Sequence, residues 1–162
     1  MIVVTVGTQK FQFNRLLEEI DNLIEKGIIT EPVIVQVGYS TYRSRNYEMI
    51  SFLENEKLKK MISSCRVLIT HAGLGTIIQG LELKKKMIVV PRQKMFGEHV
   101  DDHQNEIAEK FETMGYITVC RDMKDMEKCY LEIENFPLRT FQLHYSNMID
   151  FVNEQIEKFA QD

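Results

Sequence analysis

Short apolar runs alternate along this chain with longer segments in which apolar residues recur at helical spacing. The apolar runs are rich in valine and isoleucine, as buried strands are. We predict strands at residues 2–6, 33–37, 47–50, 67–70, 87–90 and 116–119. We predict helices at residues 13–26, 54–63, 75–83, 100–114, 124–133 and 139–159. Because this alternation is typical of parallel strands joined by crossover helices, the predicted fold class is α/β.

The turn after the fourth predicted strand carries the clearest sign of chemistry. Its residues are His71, Ala72, Gly73, Leu74, Gly75 and Thr76. Glycine lets a ligand approach the backbone closely, and the first turn of a helix offers unpaired N–H groups and a positive dipole end. Phosphate binds at such places, and the Thr76 hydroxyl adds a donor. A glycine turn that only connects a strand to a helix looks the same, so that alternative stays open.

The other loops on the same side of the sheet bear on this choice. Ligands of open parallel sheets bind beyond the carboxyl ends of the strands. Loops at residues 7–9, 52–53, 71–76 and 91–103 are all expected at that edge. Polar groups that converge from several loops on a glycine turn are typical of a nucleotide site, which favours the ligand-binding interpretation.

Length and charge narrow the class of protein. The 162 residues suit one domain over residues 1–162, and the formal net charge of −4 argues against a nucleic-acid partner. No apolar run approaches the roughly 18 residues of a membrane-spanning helix, and the first residues lack the features of a signal peptide. We therefore expect a soluble, cytoplasmic chain.

The cysteines and the one tight basic cluster give little indication of function. Cys65, Cys120 and Cys129 form no CxxC pair, so we interpret them as reduced thiols. The basic cluster at residues 84–86 is interpreted as a solvated turn, with binding of a lipid headgroup as the alternative.

Four stretches taken together resemble the donor-binding half of GT-B glycosyltransferases of the family 28 type. They are residues 4–8, 69–76, 88–92 and 103–108, in the family's order. The chain is similar to small proteins of bacterial exopolysaccharide and capsule synthesis. It is also similar to the catalytic subunit of the two-part eukaryotic enzyme that adds the second N-acetylglucosamine to dolichol diphosphate sugar. The resemblance implies a single GT-B C-terminal-type domain, a Rossmann-like parallel sheet with helices on both faces.

The resemblance also implies a UDP-sugar site. Its residues would be Thr8, Phe52, Leu53, Gly73, Leu74, Gly75, Thr76, Gln79, His103 and Gln104. By similarity, the first loop and the start of the helix at Leu74 would meet the diphosphate, and the backbone near Phe52 and Leu53 would contact the uracil edge. The UDP-sugar is the substrate, and no cofactor is implied.

Three polar side chains are given finer roles by the resemblance. His103 and Gln104 occupy positions where the family holds the sugar hydroxyls, and a glutamine offers both a donor and an acceptor for such groups. Gln79 stands where the family usually has a glutamate that accepts from both ribose hydroxyls. The glutamine carbonyl accepts one such bond and lacks the carboxylate's charge.

The four histidines are considered as candidate catalytic or metal-binding residues. His71 is either a catalytic base or a residue that ties the loop by a backbone hydrogen bond. His99 and His103 would face a metal ion together if their segment were helical, but no third ligand is marked by position, so we expect no metal. His144 is interpreted as a surface or partner-facing residue.

A complete GT-B enzyme has two halves, and this chain resembles one of them. The resemblance therefore implies a membrane-anchored partner subunit that binds a lipid-linked saccharide acceptor and holds this chain at the inner face of the membrane. The predicted activity is inverting transfer of a hexosyl group from a UDP-sugar in exopolysaccharide or capsule synthesis. The alternative is a non-catalytic accessory or nucleotide-binding regulatory subunit.

The C-terminal segment, residues 139–162, is predicted to form the last helix. It is apolar at more positions than one buried stripe needs. It either packs on its own domain or contributes to the partner interface, since exposed apolar area commonly marks an interface.

Overall fold

A computed structural model of the chain describes residues 1–141 and 146–160. Its centre is a six-stranded, wholly parallel sheet with the order β3-β2-β1-β4-β5-β6. The strands are β1 Ile2–Thr5, β2 Val33–Gln36, β3 Glu48–Ile50, β4 Val67–His71, β5 Lys86–Val90 and β6 Thr118–Val119. The helices are α1 Asn14–Glu25, α2 Asn55–Ser64, α3 Leu74–Glu82, α4 His103–Thr113, α5 Met126–Glu132 and α6 Ser146–Ala160.

The strand order reverses between β1 and β4, where the chain crosses from one half of the sheet to the other. A crevice opens at such a reversal, beyond the carboxyl ends of the strands, in Rossmann-like folds. The predicted α/β class and the Rossmann-like sheet are confirmed.

Alternate side chains of the strands enter two separate apolar cores, because successive residues of a strand point to opposite faces. Ile2 and Val4 of β1 belong to a core closed by α1 and α5, whereas Val3 belongs to the core on the other face. That second core is closed by side chains of α2, α3, α4 and α6. Helices therefore cover both faces, and the loops at the strand ends are left as the exposed edge.

Two predicted helix starts are wrong. Helix α4 begins at His103 instead of residue 100, because the Asp101 carboxylate accepts a hydrogen bond from the His103 N–H at 3.0 Å and so ends the preceding turn. Residues 139–141 are not helical. Arg139 instead donates to the Met114 carbonyl oxygen at 3.2 Å, and Phe141 packs edge-on against Tyr116.

Helix α6 packs on its own domain. Its Phe151 ring lies 6.0 Å from that of Phe111 on α4, and Phe151 and Val152 lie against the second core. Ile149 and Ile156 of the same helix are exposed. The predicted position of His144 lies outside the described residues.

Lysines of the basic cluster take part in the fold. Lys85 donates to the carbonyl oxygens of Ser63 and Cys65 at 2.6 and 2.8 Å, at the C-terminal end of α2. Lys86 donates to the Glu134 carbonyl oxygen. Two of the three positive charges thus have partners within the protein, as in a structural turn.

The helices of the described residues are all too short or too polar to span a bilayer.

Candidate functional site

A cleft of about 360 Å³ lies over the carboxyl ends of β1, β2 and β4, at the reversal of strand order. It is lined by Thr5, Gly7, Thr8, Gln9, Gln36, Asn55, Leu58, His71, Ala72, Gly73, Gly75, Thr76, Gln79 and Gln104. The glycine turn therefore opens onto a cavity, which a purely connecting turn would not need.

The floor of the cleft is the imidazole of His71, which fills the space between two glycine turns. A Cβ on Gly7 would lie 2.6 Å from His71 Nε2, and a Cβ on Gly73 would overlap the same ring. Gly7 also has a φ of +81°, which side chains rarely adopt. Glycine is thus required at both positions by the histidine between them.

Burial determines the charge state of His71. The side chain is buried, and its Nδ1 lies 3.3 Å from Thr70 Oγ1. Burial, with a smaller effect of the nearby Arg92 cation, lowers the pKa of His71 to about 3, against a small opposing effect of a hydrogen bond to the Thr5 backbone. The imidazole is therefore neutral at neutral pH and a weak base there.

Helix α3 presents its first turn to the cleft. Gly73 precedes the helix in an extended conformation, and the Ile77 N–H makes the first bond of the helix, to the Gly73 carbonyl oxygen at 3.1 Å. The N–H groups of Leu74, Gly75 and Thr76 come before that bond. No side chain of the described residues caps them. Unpaired N–H groups at the positive end of a helix dipole are the groups that bind anions in proteins, and the Thr76 hydroxyl lies beside them.

Gln104, in the first turn of α4, joins the turn after β4 to the loop after β5. It is buried, and its carbonyl oxygen accepts from the N–H groups of Ala72 at 3.2 Å and Arg92 at 3.0 Å. Both lone pairs of that oxygen are in use. The expectation that Gln104 offers a ligand both a donor and an acceptor is therefore wrong, since the amide NH₂ is the group left to face the cleft.

Arg92, just beyond β5, holds the loop after β1 against the loop after β5. It was not among the site residues predicted from the sequence. Its guanidinium is fully buried and donates to the carbonyl oxygens of Val6, Phe11 and Glu98. Burial lowers the pKa of Arg92 to about 10, and the nearby Glu98 carboxylate opposes that shift. A buried cation with carbonyl partners fixes loops and does not reach into the cleft.

The lining of the cleft carries no formal charge at neutral pH. None of the described residues that line it is Asp, Glu, Lys or Arg, and His71 is neutral. Five carboxamide side chains surround the space: Gln9, Gln36, Asn55, Gln79 and Gln104. An anion would be held here by neutral donors, namely backbone N–H groups, hydroxyls and amides.

The structure brings seven of the residues predicted from sequence to the cleft. These are Thr8, His71, Gly73, Gly75, Thr76, Gln79 and Gln104. Their roles toward a ligand stay predictions. Thr5, Gln36, Asn55 and Leu58 also line the cleft and were not predicted. Gln36 had one available signal, as the polar residue in an otherwise apolar strand.

Four other predicted residues are not part of the lining. The Phe52 ring packs edge-on against Tyr39 at 5.1 Å, and Leu53 lies beside it in the loop before α2. Leu74 packs its side chain against the second core. His103 Nδ1 lies 3.3 Å from the Glu106 carboxylate, on the first turn of α4.

The helical segment that would bring His99 and His103 to one face is not formed, because α4 begins at His103 and His99 lies in the loop before it. His99 Nδ1 lies 2.9 Å from the Asp101 carboxylate. Across residues 1–141 and 146–160, no group of three or more His, Cys, Asp or Glu side chains is arranged to hold a metal ion.

The chain is similar in sequence to a curated glycosyltransferase subunit. The chain is 37% identical over 140 residues to the UDP-N-acetylglucosamine transferase subunit ALG13 of Debaryomyces hansenii. That match covers 80% of the chain and 62% of the relative, so the chain spans less than two thirds of the relative's length.

Solved structures agree in fold. A crystal structure of the glycotransferase of kitacinnamycin has a TM-score of 0.64 at 16% identity and covers 84% of this chain and 35% of that one. A solution structure of ALG13 has a TM-score of 0.58 at 19% identity and covers 93% of both chains. The glycosyltransferase family 28 C-terminal domain model matches residues 1–161. The chain therefore belongs to the glycosyltransferase family 28 C-terminal domain family.

Proposed function

We propose that this chain binds the UDP-sugar donor of a two-component glycosyltransferase that moves a hexosyl group, with inversion, to a lipid-linked saccharide. The observation that carries the proposal is the first turn of α3, where Gly75 and Thr76, whose N–H groups precede the first bond of the helix, line the cleft at the strand-order reversal. Preorganised donors of this kind stabilise a diphosphate leaving group as negative charge grows on it.

The chemistry of the cleft supports an acceptor-binding partner. Inverting transfer needs a base that takes the proton of the acceptor hydroxyl. The described residues that line the cleft include no carboxylate, and the pKa of His71, about 3, makes it a weak base at neutral pH. The partner would supply the base, bind the lipid-linked saccharide, and recruit this chain to the inner face of the membrane.

The relatives bear on the identity of the sugar. The Debaryomyces hansenii protein is named a UDP-N-acetylglucosamine transferase subunit, which supports a UDP-sugar donor and favours N-acetylglucosamine as the sugar. Exopolysaccharide or capsule synthesis as the pathway rests on the sequence resemblance alone and stays a prediction.

Calorimetric titration with UDP tests the donor site. Replacing Thr76 by alanine removes one hydroxyl donor from the anion site, so we expect UDP affinity to fall about fivefold to tenfold. Thr30→Ala is the matched control, because Thr30 is exposed in the loop before β2, at the opposite edge of the sheet. A wild-type chain that binds no UDP, alone or with its partner, would refute the donor site.

Transfer itself is tested with the reconstituted pair. Membranes that carry the partner and the lipid-linked acceptor are supplied with UDP-N-acetylglucosamine and either the wild-type chain or Thr76→Ala. A donor-binding subunit loses turnover with the loss of Thr76. An accessory subunit keeps full turnover with that variant and loses it when α6, residues 146–160, is deleted.

A further inference from the structure

A buried cation lies behind the wall of the cleft. The Arg92 side chain is 1% exposed and is not part of the cleft lining. Its guanidinium donates to the carbonyl oxygen of Val6, the residue before Gly7, and Gly7 does line the cleft. The positive charge of Arg92 therefore lies one residue behind the surface that a bound anion would face.

No carboxylate neutralises the charge of Arg92 within the described residues. Its guanidinium bonds only to backbone carbonyl oxygens there, and its Nε has no hydrogen-bond partner. The carboxylate whose charge acts on it, that of Glu98, is held by Arg15 at 2.7 and 3.0 Å. Two cations and one carboxylate leave one positive charge in excess. A buried cation without a carboxylate partner is costly, so such a group calls for a function.

The field of this cation reaches the cleft. The His71 ring forms the floor of the cleft, and the charge of Arg92 is one of the causes that lower the pKa of His71 to about 3. A charge acts more strongly through a protein interior than through water, because the interior has a lower dielectric constant. An anion in the cleft would therefore be attracted by a charge that it does not touch.

The cation is also fixed in place before any ligand arrives. The Arg92 backbone N–H donates to the Gln104 carbonyl oxygen at 3.0 Å, and the guanidinium lies 5.2 Å from the centre of the Phe13 ring. A mobile surface lysine loses conformational freedom and hydration when it binds an anion, whereas a charge that is already buried and ordered loses neither. Arg92 is thus preorganised to act on the cleft.

We propose that Arg92 is a positioning residue of the donor site, which attracts the diphosphate through its electric field without touching it. The inference rests on the proposed function, since it assumes an anionic ligand in the cleft. The charge of Arg92 would add to the attraction of the N–H groups at the start of α3, and would act on the negative charge that grows on the leaving group. Glu98 limits this attraction, because its carboxylate opposes the charge of Arg92.

Three variants separate the charge of Arg92 from its hydrogen bonds. Arg92→Met removes both, Arg92→Lys keeps the charge and loses the forked donor set, and Glu98→Gln removes the opposing charge while keeping an oxygen for Arg15. We expect UDP affinity, measured by calorimetry, to fall about tenfold in Arg92→Met, to stay within about threefold of wild type in Arg92→Lys, and to rise about threefold in Glu98→Gln.

Arg121→Met is the matched control for these variants. Arg121 follows β6 at the same edge of the sheet, but its side chain is exposed, so solvent and salt screen its charge. We expect its UDP affinity to equal that of the wild-type chain.

Failure of this inference and failure of the donor site give different results. If Arg92 only holds the loops together, lysine and methionine should weaken UDP binding equally, and that result would overturn the inference while the donor site stands. If Arg92→Met does not fold, Glu98→Gln decides, since unchanged or weaker UDP binding in that variant would overturn the inference as well. A wild-type chain that binds no UDP would refute the donor site, and the role of Arg92 with it.

Discussion

Arg15 of α1 and Glu98 of the loop after β5 form a two-point ion pair. Arg15 Nε lies 2.7 Å from Glu98 Oε1, and Arg15 Nη2 lies 3.0 Å from Glu98 Oε2. The Glu98 carboxylate is 1% exposed and also accepts from the Gln93 N–H. This pair fixes the loop after β5 to α1, the helix that follows β1.

Removing the carboxylate of this pair should destabilise the chain. Glu98→Ala leaves the Arg15 cation and the Gln93 N–H without their partner, so we expect the free energy of unfolding to fall by about 2–3 kcal/mol in denaturant titration. Glu112→Ala is the control, because Glu112 pairs with Arg121 at the exposed surface, where such a pair contributes about 0–1 kcal/mol. Equal losses of unfolding free energy in both variants would show that the buried pair contributes no more to stability than the exposed one.

Gly73 and His71 should be coupled in stability. A Cβ on Gly73 overlaps the His71 ring, so Gly73→Ala should cost about 1–3 kcal/mol of unfolding free energy. Gly75→Ala is the matched control, because a Cβ there meets open space. Adding His71→Ala to Gly73→Ala should recover part of the loss, which a double-mutant cycle measures. Strictly additive effects would contradict the contact.

The two ends of the Gln104 amide should be separable by substitution. Gln104→Met removes the acceptor of two buried N–H groups, so we expect a loss of about 2 kcal/mol in unfolding free energy. Gln104→Glu keeps that acceptor and should stay closer to wild type in stability. It removes the NH₂ donor and brings a carboxylate to the cleft, so UDP binding should weaken. A Gln104→Met chain as stable as wild type would contradict the tying role.

Buried His71 should make stability depend on pH. Its pKa is lowered from an ordinary value of 6.5 to about 3, so between these values the unfolded chain binds a proton that the native chain does not. Stability conferred by the neutral imidazole is present above pH 6.5 and is lost as pH falls, by up to about 1.4 kcal/mol per pH unit.

The window from pH 6.5 down to about 4.5 isolates this effect. The carboxylates with lowered pKa values are Glu31, Asp21 and Asp101. Their ordinary values are 4.5 for Glu31 and 3.8 for the two aspartates, so their contribution is lost below that window. Denaturant titrations of wild type and His71→Gln across the window should show a smaller slope in the variant. Parallel curves would show that His71 takes up its proton in the folded state.

Much of the fold and part of the cleft could be predicted from local pattern. Apolar runs with valine and isoleucine marked β1, β2, β4 and β5, because buried parallel strands are apolar on both faces. The short edge strands β3 and β6 lie within the predicted strands at residues 47–50 and 116–119. The glycine turn between β4 and α3 was recognisable because Gly73 and Gly75 lie between an apolar run and a segment of helical spacing. Helix starts were less accurate at α4, where a carboxylate two residues before His103 ends the turn.

The sequence by itself determined the α/β class, the strand positions and the glycine turn before α3, since these depend on neighbours along the chain. Only the tertiary structure decided that His71 lies buried between Gly7 and Gly73, that the Gln104 oxygen is already bonded, and that Arg92 is buried behind the cleft. The reason is physical. Burial and hydrogen-bond partners come from segments far apart in sequence, and they set both the charge of a histidine and which end of an amide remains for a ligand.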